Sequence, residues 1–133
     1  EAAASCACPP KLVAVTTLTS LNQDDFSDLG VNRTVEEQAV ALGELAISSG
    51  IDGLVTSAHE AHALRKAFPE ALLVTPGIRM PSGDVSDQKR VATPSFAIEQ
   101  GATHLVIGRP IVQAADPVLA TSMMLDDMKK AVK

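Results

Sequence analysis

Leu72-Leu73-Val74-Thr75-Pro76-Gly77-Ile78-Arg79 begins with four strand-favouring residues and breaks at a Pro-Gly pair. The run is too short for a helix and too apolar for a solvated loop, so it reads as a buried strand. Upstream, Gly53-Leu54-Val55-Thr56-Ser57 repeats the pattern, and Glu60 to Phe68 between the two reads as a short helix closed by Pro69. Further upstream, Leu12 to Leu18 is a third β-rich run that gives way to polar Thr19, Ser20 and Asn22. A helical turn is expected around Asp25 to Leu29. Thr34-Val35-Glu36-Glu37 then offers a capping box for a helix carrying Val40, Leu42, Leu45, Ala46 and Ile47 and stopped by Ser49-Gly50. Downstream, Thr93-Pro94 pairs an N-cap with a proline at the first helical position, opening a helix from Ser95 to Gln100 that ends at Gly101. Leu105-Val106-Ile107 is the fourth strand, and Asp116-Pro117 opens the last helix.

Strand and helix thus alternate four times, the pattern of a parallel sheet with helical crossovers, and the fold class is α/β. Apolar residues fall on consecutive strand positions, which predicts that both faces of the sheet are covered. A closed (β/α)8 barrel needs eight such units and about 250 residues, and open doubly wound sheets usually carry five or more strands. With 133 residues the chain is a single domain that is incomplete under either scheme. As half a barrel it would present unpaired strand edges and an inner apolar face without its opposite wall, so it is expected to be held against another half or to self-associate.

Composition removes several classes of function. Hydrophobic residues make up 46% and charged residues 20%, an ordinary globular balance that excludes general disorder. The net charge of -5 argues against nucleic-acid binding, and the 2% aromatic content leaves no stacking platform. The longest apolar runs are strand-length and cannot span a bilayer, so the expectation is a soluble, cytoplasmic protein with no membrane partner. Cys6 and Cys8 sit too close for an ordinary structural disulfide and are too few for a zinc site. His59, His62 and His104 lack partners at metal-ligand spacing and read as surface or helix-start residues, so no metal is expected. Met123, Met124 and Met128 read as packing. The stretch from Glu1 to Lys11 lacks the basic start and apolar run of a signal peptide and begins with Glu, the mark of a segment starting in mid-protein.

In parallel α/β folds ligands gather at the carboxyl ends of the strands. Those ends carry Thr19-Ser20, Ser57, Pro76-Gly77-Ile78-Arg79 and Gly108-Arg109-Pro110, and the long polar connection from Gly77 to Thr93 adds Gln88, Lys89 and Arg90. Two glycine-arginine turns in an acidic protein suit an anion. Glycine lets backbone N–H groups approach phosphate oxygens, a helix start aims its positive end at them, and a guanidinium binds two oxygens at once. For Thr19 alone, capping a turn is as good a reading as contacting a ligand.

Five strings occur in order: Leu12-Val13-Ala14-Val15-Thr16-Thr17-Leu18-Thr19-Ser20, Asp52-Gly53-Leu54-Val55-Thr56-Ser57-Ala58, Val74-Thr75-Pro76-Gly77-Ile78-Arg79, Asp87-Gln88-Lys89-Arg90 and Val106-Ile107-Gly108-Arg109-Pro110-Ile111. Together they resemble the C-terminal half of the orotidine 5'-monophosphate decarboxylase family, over residues 11 to 120. The resemblance implies a (β/α)8 TIM barrel, normally a homodimer, that converts orotidine 5'-monophosphate (OMP) to UMP and carbon dioxide without a cofactor, in the last step of pyrimidine synthesis. Residues 1 to 133 would be one partial domain, supplying strands five to eight with their helices, and the N-terminal half would be absent.

By the same resemblance Thr19 contacts the pyrimidine, and Arg79, Gln88, Gly108 and Arg109 hold the 5'-phosphate of OMP or UMP. The family's catalytic Lys-Asp-Lys-Asp network lies largely in an Asp-x-Lys-x-x-Asp string on the third strand. That string is absent here: Asp87-Gln88-Lys89 imitates its start, but Ala92 stands where the second carboxylate belongs. The chain is therefore expected to carry the phosphate clamp without a catalytic residue and to be inactive alone. Two rival readings are a related phosphate barrel such as hexulose phosphate synthase, which runs a metal-assisted aldol reaction, and a non-catalytic module binding a nucleotide phosphate.

Overall fold

The computed structural model describes residues 2, 5–80 and 91–131. Its elements run β1 (Val13–Val15), α1 (Gln23–Asp28), α2 (Val35–Ser48), β2 (Gly53–Val55), α3 (Ala58–Ala67), β3 (Leu72–Thr75), α4 (Pro94–Glu99), β4 (His104–Leu105), α5 (Arg109–Val112) and α6 (Pro117–Ala131). Local chemistry sets most helix starts. Thr34 and Glu37 form the expected reciprocal capping box before α2, and Asn22 and Asp25 form a second one before α1. Ser57 accepts from the His59 N–H at the start of α3, and Thr93 accepts from the Phe96 N–H ahead of Pro94. Gly50, with φ of 84°, ends α2 in the left-handed region that glycine tolerates.

All four strands are parallel in the order β1-β2-β3-β4. Parallel crossovers are right-handed, so neighbours taken in sequence order place their connecting helices on a single face of the sheet. That face holds the core. Ala14, Leu54 and Leu73 lie in register across β1, β2 and β3, and they pack with Ala39, Ala61, Leu64 and Phe68 from the α2 and α3 region. Leu54, Leu64 and Leu73 are fully buried, each contributing about 2 kcal/mol of transfer free energy. Gly43 lets α2 come close, because a Cβ there would stand 2.9 Å from the Phe68 ring.

The other face corrects the expectation of double cover. Val13 and Val15, which flank Ala14 and so point the opposite way, are 42% and 58% exposed. Consecutive apolar residues did mark a strand with two apolar faces, but within this chain helices cover one of them. Strand ends also moved. β1 is confined to Val13–Val15 and β2 stops at Val55, with the N–H groups of Thr16 and Thr56 still donating across to Val55 and Val74 as the last rungs; β4 is His104–Leu105 rather than Leu105–Ile107. Met124 is buried, whereas Met123 is exposed on the outer side of α6 and is not packing.

Candidate functional site

The carboxyl ends of the strands converge on one rim, and a row of hydroxyl residues lines it. Thr16 donates its hydroxyl to the Val55 carbonyl at 3.0 Å, stitching β1 to β2 where the ladder ends. Thr17, Thr56, Ser57 and Thr75 are buried beside it. The hydroxyls of Thr17 and Thr75 have no hydrogen-bond partner among the described residues. Thr19 is half-buried in the turn closed by the Leu21 N–H on the Leu18 carbonyl at 3.1 Å.

After β3 the chain turns through Gly77, whose φ of 80° requires the left-handed region. Arg79 N–H donates to the Ala92 carbonyl at 2.9 Å, and Ala92 N–H donates back to the Gly77 carbonyl at 3.1 Å. This short parallel bridge between Ile78 and Ala92 pins both roots of the connection. Arg79 is buried, with a guanidinium N–H on the Ile78 carbonyl at 2.8 Å. Gln88, with Asp87, Lys89 and Arg90, lies outside the described residues.

After β4 the Val106 N–H bonds the Thr75 carbonyl at 2.9 Å, and the chain enters the single turn of α5. This helix was not expected from the sequence. Gly108 is its N-cap, and its carbonyl accepts from Ile111 and Val112. Gly108 and Arg109 are exposed. Other helix starts are closed by side chains: α1 to α4 by Asn22, Thr34, Ser57 and Thr93, and α6 by Asp116, which accepts from the Leu119 N–H. Among the described residues the α5 start has no side-chain cap. The α4 start is doubly filled, since Asp127 on α6 also accepts from the Ser95 N–H at 2.9 Å. Its carboxyl is held below the ordinary carboxylate range by the Lys130 ammonium and then by that N–H, against the raising effect of burial.

The two glycine-arginine turns share a foundation. Ile78 and Ile107, each one residue before a member of the predicted clamp, belong to a single apolar cluster with Ala58, Ala97, Ala102, Phe96 and Leu105. The rim therefore brings the backbones at Arg79 and Gly108-Arg109 onto adjacent supports, with one guanidinium tucked in and the other outside. Thr19 stands on β1's loop at the far side of β2 and β3. Sequence reasoning missed the buried hydroxyls of Thr17 and Thr75; their signal was an apolar run ending in threonine at both strand ends.

The remaining candidates form no metal site among the described residues. His59, His62 and His104 are exposed; His59 lies 5.6 Å from the Phe96 ring, and His104 shares a hydrogen bond with Thr103. Among the described residues no three His, Cys, Asp or Glu side chains gather as a metal site. Cys6 and Cys8 are exposed free thiols. No helix among the described residues is long and apolar enough to cross a membrane.

Residues 1–124 match the family described as orotidine 5'-phosphate decarboxylase / HUMPS. An orotidine 5'-phosphate decarboxylase of Gluconobacter oxydans is 54% identical over 124 residues, covering 92% of this chain and 52% of that protein. One from Neisseria meningitidis is 49% identical over 120 residues, covering 89% of this chain and 49% of its own length. Among solved structures, the orotidine 5'-phosphate decarboxylase of Lactobacillus acidophilus superposes with a TM-score of 0.72 at 35% identity, covering 93% of this chain and 51% of that one. The chain spans about half the length of the curated relatives it matches.

Proposed function

We infer from the premise that this chain belongs to the orotidine 5'-phosphate decarboxylase / HUMPS family that it supplies the phosphate-binding half of an OMP decarboxylase. The observation that supports this most is the pairing of two glycine-arginine turns on one apolar cluster, at the strand ends. In this reading residues 11 to 133 are strands five to eight of a barrel, and the whole enzyme is a cytoplasmic homodimer of complete barrels. The names of the curated relatives, at 47–54% identity, favour decarboxylation over the aldol chemistry of the rival phosphate barrel.

The reaction replaces the C6 carboxylate of OMP by a proton, giving UMP and carbon dioxide. This chain's part is remote from that carbon. Arg109 and Arg79 neutralise the dianionic 5'-phosphate, Gly108 lets the α5 backbone approach its oxygens, Gln88 adds a donor, and Thr19 orients the pyrimidine. Binding energy gathered at the phosphate lowers the barrier only when groups at the reacting carbon use it. The Asp-x-Lys-x-x-Asp string that would supply those groups does not occur between Glu1 and Lys133.

Two measurements test the reading. The 133-residue chain should form no UMP from OMP by itself, and should form it when mixed with the N-terminal half of the Gluconobacter relative. In the reconstituted enzyme Arg109→Ala should raise KM by roughly 10- to 100-fold, the cost of one charge-assisted contact. UMP formation by the chain alone, or unchanged kinetics in the Arg109 variant, would overturn the assignment. Calorimetry with UMP and with inorganic phosphate separates a nucleotide site from a generic anion site.

A further inference from the structure

Asp127 stands out on the inner face of α6. Ala120, Thr121, Met124, Met128 and Ala131 recur at helical spacing as the buried or half-buried stripe of that helix, and α4 packs against α6. Asp127 sits within this stripe and is 7% exposed. One carboxylate oxygen accepts from the Ser95 N–H and the other from the Lys130 ammonium, each at 2.9 Å. Packing alone does not call for a charge here, since an apolar side chain would cover α4 without the cost of desolvating a carboxylate. Nor does capping, because Thr93 already accepts from the Phe96 N–H at the same helix start. What the carboxylate adds is register: it fixes where along α6 the first turn of α4 sits.

Two stiff residues connect that grip to the first glycine-arginine turn. The ring of Pro94 locks its own φ, and Thr93 before it is held extended, at φ −76° and ψ 158°. Ala92 comes next. Its carbonyl accepts from the Arg79 N–H at 2.9 Å, and its N–H donates to the Gly77 carbonyl at 3.1 Å. A shift of Ser95 is therefore passed to the backbone that holds Arg79. α6 in turn is tied to the second turn. Gly108-Arg109 opens α5, α5 packs on α6, and only residues 113–116 separate the two helices.

We propose that Asp127 is a positioning residue that sets the spacing between the two glycine-arginine turns. The helix downstream of Arg109 reaches back and grips the start of the helix downstream of Arg79, so both turns move as one body. A phosphate ester held from both sides needs its supports fixed to within about 0.5 Å, and a buried carboxylate in two directional contacts supplies that better than apolar packing. The proposal deepens the phosphate-binding reading above and rests on it for the ligand. The coupling of Asp127 to Arg79 is a property of the chain itself.

Hydrogen exchange of the 133-residue chain, followed amide by amide by NMR, tests that coupling, and calorimetry with UMP tests its use. Asp127→Ala should lower protection of the Arg79 and Ala92 amides about tenfold more than that of the Thr56 amide, which donates to Val74 in the β2–β3 ladder. Asp127→Asn keeps an acceptor for the Ser95 N–H and should show a smaller loss at the same two amides, which carries the test if the alanine variant fails to fold. Asp126→Ala breaks the neighbouring pair with Lys129, on the exposed side of α6, and should change neither amide. An equal loss at all three amides, or none at Arg79, would overturn the proposal. The affinity of Asp127→Ala for UMP should fall about tenfold, and an unchanged affinity would overturn the positioning role even with exchange altered. A wild-type chain that binds neither UMP nor inorganic phosphate, while the selective exchange loss is seen, would count against the phosphate-binding reading and not against the coupling.

Discussion

Asp52 and Thr75 stand at opposite ends of the same sheet and have opposite fates. Asp52, just before β2, accepts from the Leu12 N–H and from the Lys11 ammonium, each at 2.8 Å, and so ties the starts of β1 and β2 together. Those two donors hold its carboxyl below the ordinary range. Nearby, the Arg65 guanidinium donates to the Gly101 carbonyl at 2.9 Å and the Ala71 carbonyl at 3.0 Å, joining the approaches to β3 and β4. Thr103 both accepts from and donates to the Leu73 backbone. At the other end Thr75 is fully buried and Thr17 nearly so, and among the described residues neither hydroxyl has a hydrogen-bond partner and α5 starts without a side-chain cap. The amino ends of the strands are closed by the chain's own side chains, whereas the carboxyl ends keep polar groups in reserve. A buried hydroxyl without a partner is costly, so a fold retains one where a guest or a neighbouring segment completes it.

The largest expected effect compares two glycines. A Cβ on Gly53 would stand 2.5 Å from both the Cβ and the carbonyl oxygen of Leu72, so the β2–β3 ladder would have to part. Gly53→Ala should cost about 3 kcal/mol or abolish folding. A Cβ on Gly108 meets nothing within 4 Å, and Gly108→Ala should change stability by less than about 1 kcal/mol. Urea midpoints of the two variants measure this directly, and similar losses would erase the distinction between a structural and a reserved end.

How far the sequence reached follows the same divide. Signals carried by three or four adjacent residues were readable: the Thr34 and Thr93 caps, the Gly50 stop, and strand β3 at Leu72–Thr75. Contacts that cross the fold were not. Nothing near Arg65 announces that it reaches Gly101, thirty-six residues away, and nothing near Arg79 announces the bridge to Ala92 that buries it while Arg109 stays outside. The α5 turn was invisible because a four-residue helix with proline near its start has no periodicity to read. The consecutive apolar strand residues fixed two apolar faces but could not say whose atoms cover the second one. For the site, strand-end position and residue type singled out the two arginine turns; their common apolar support at Ile78 and Ile107 emerged only in three dimensions.

Asp127 gives an intermediate effect with a pH signature, because it brings to the carboxyl end the kind of closure seen at the other. Its lowered carboxyl pKa means that the folded state holds the charged form more tightly than the unfolded chain does. The stability it contributes is therefore complete above the unfolded carboxylate range and is lost as pH falls through the folded value. Asp127→Asn should cost about 1–2 kcal/mol at neutral pH, the usual worth of a helix cap with a charged partner. The gap between wild type and variant should begin to close as pH falls below about 4 and vanish only below the lowered folded value. A gap that stays constant into acid would show that the carboxylate's charge contributes nothing.

The smallest effect is the sharpest discriminator, since it asks whether a lost hydroxyl is missed. Thr103→Val removes a hydroxyl that accepts from the Leu73 N–H at 2.9 Å and donates to its carbonyl at 3.0 Å, and should cost about 1–2 kcal/mol by leaving that N–H unsatisfied, while the carbonyl keeps the Thr103 backbone N–H at 2.9 Å. Thr75→Val removes a buried hydroxyl that bonds nothing in the described chain, in favour of a methyl group of nearly the same volume. It should be neutral, or stabilise the isolated chain by up to about 1 kcal/mol. Once the barrel is completed by its N-terminal half, the same substitution should turn unfavourable if that half supplies the missing partner. Thermal midpoints of the chain alone and of the reconstituted enzyme decide it, and an equal loss for Thr75→Val and Thr103→Val in the isolated chain would mean that the carboxyl end is as self-contained as the amino end.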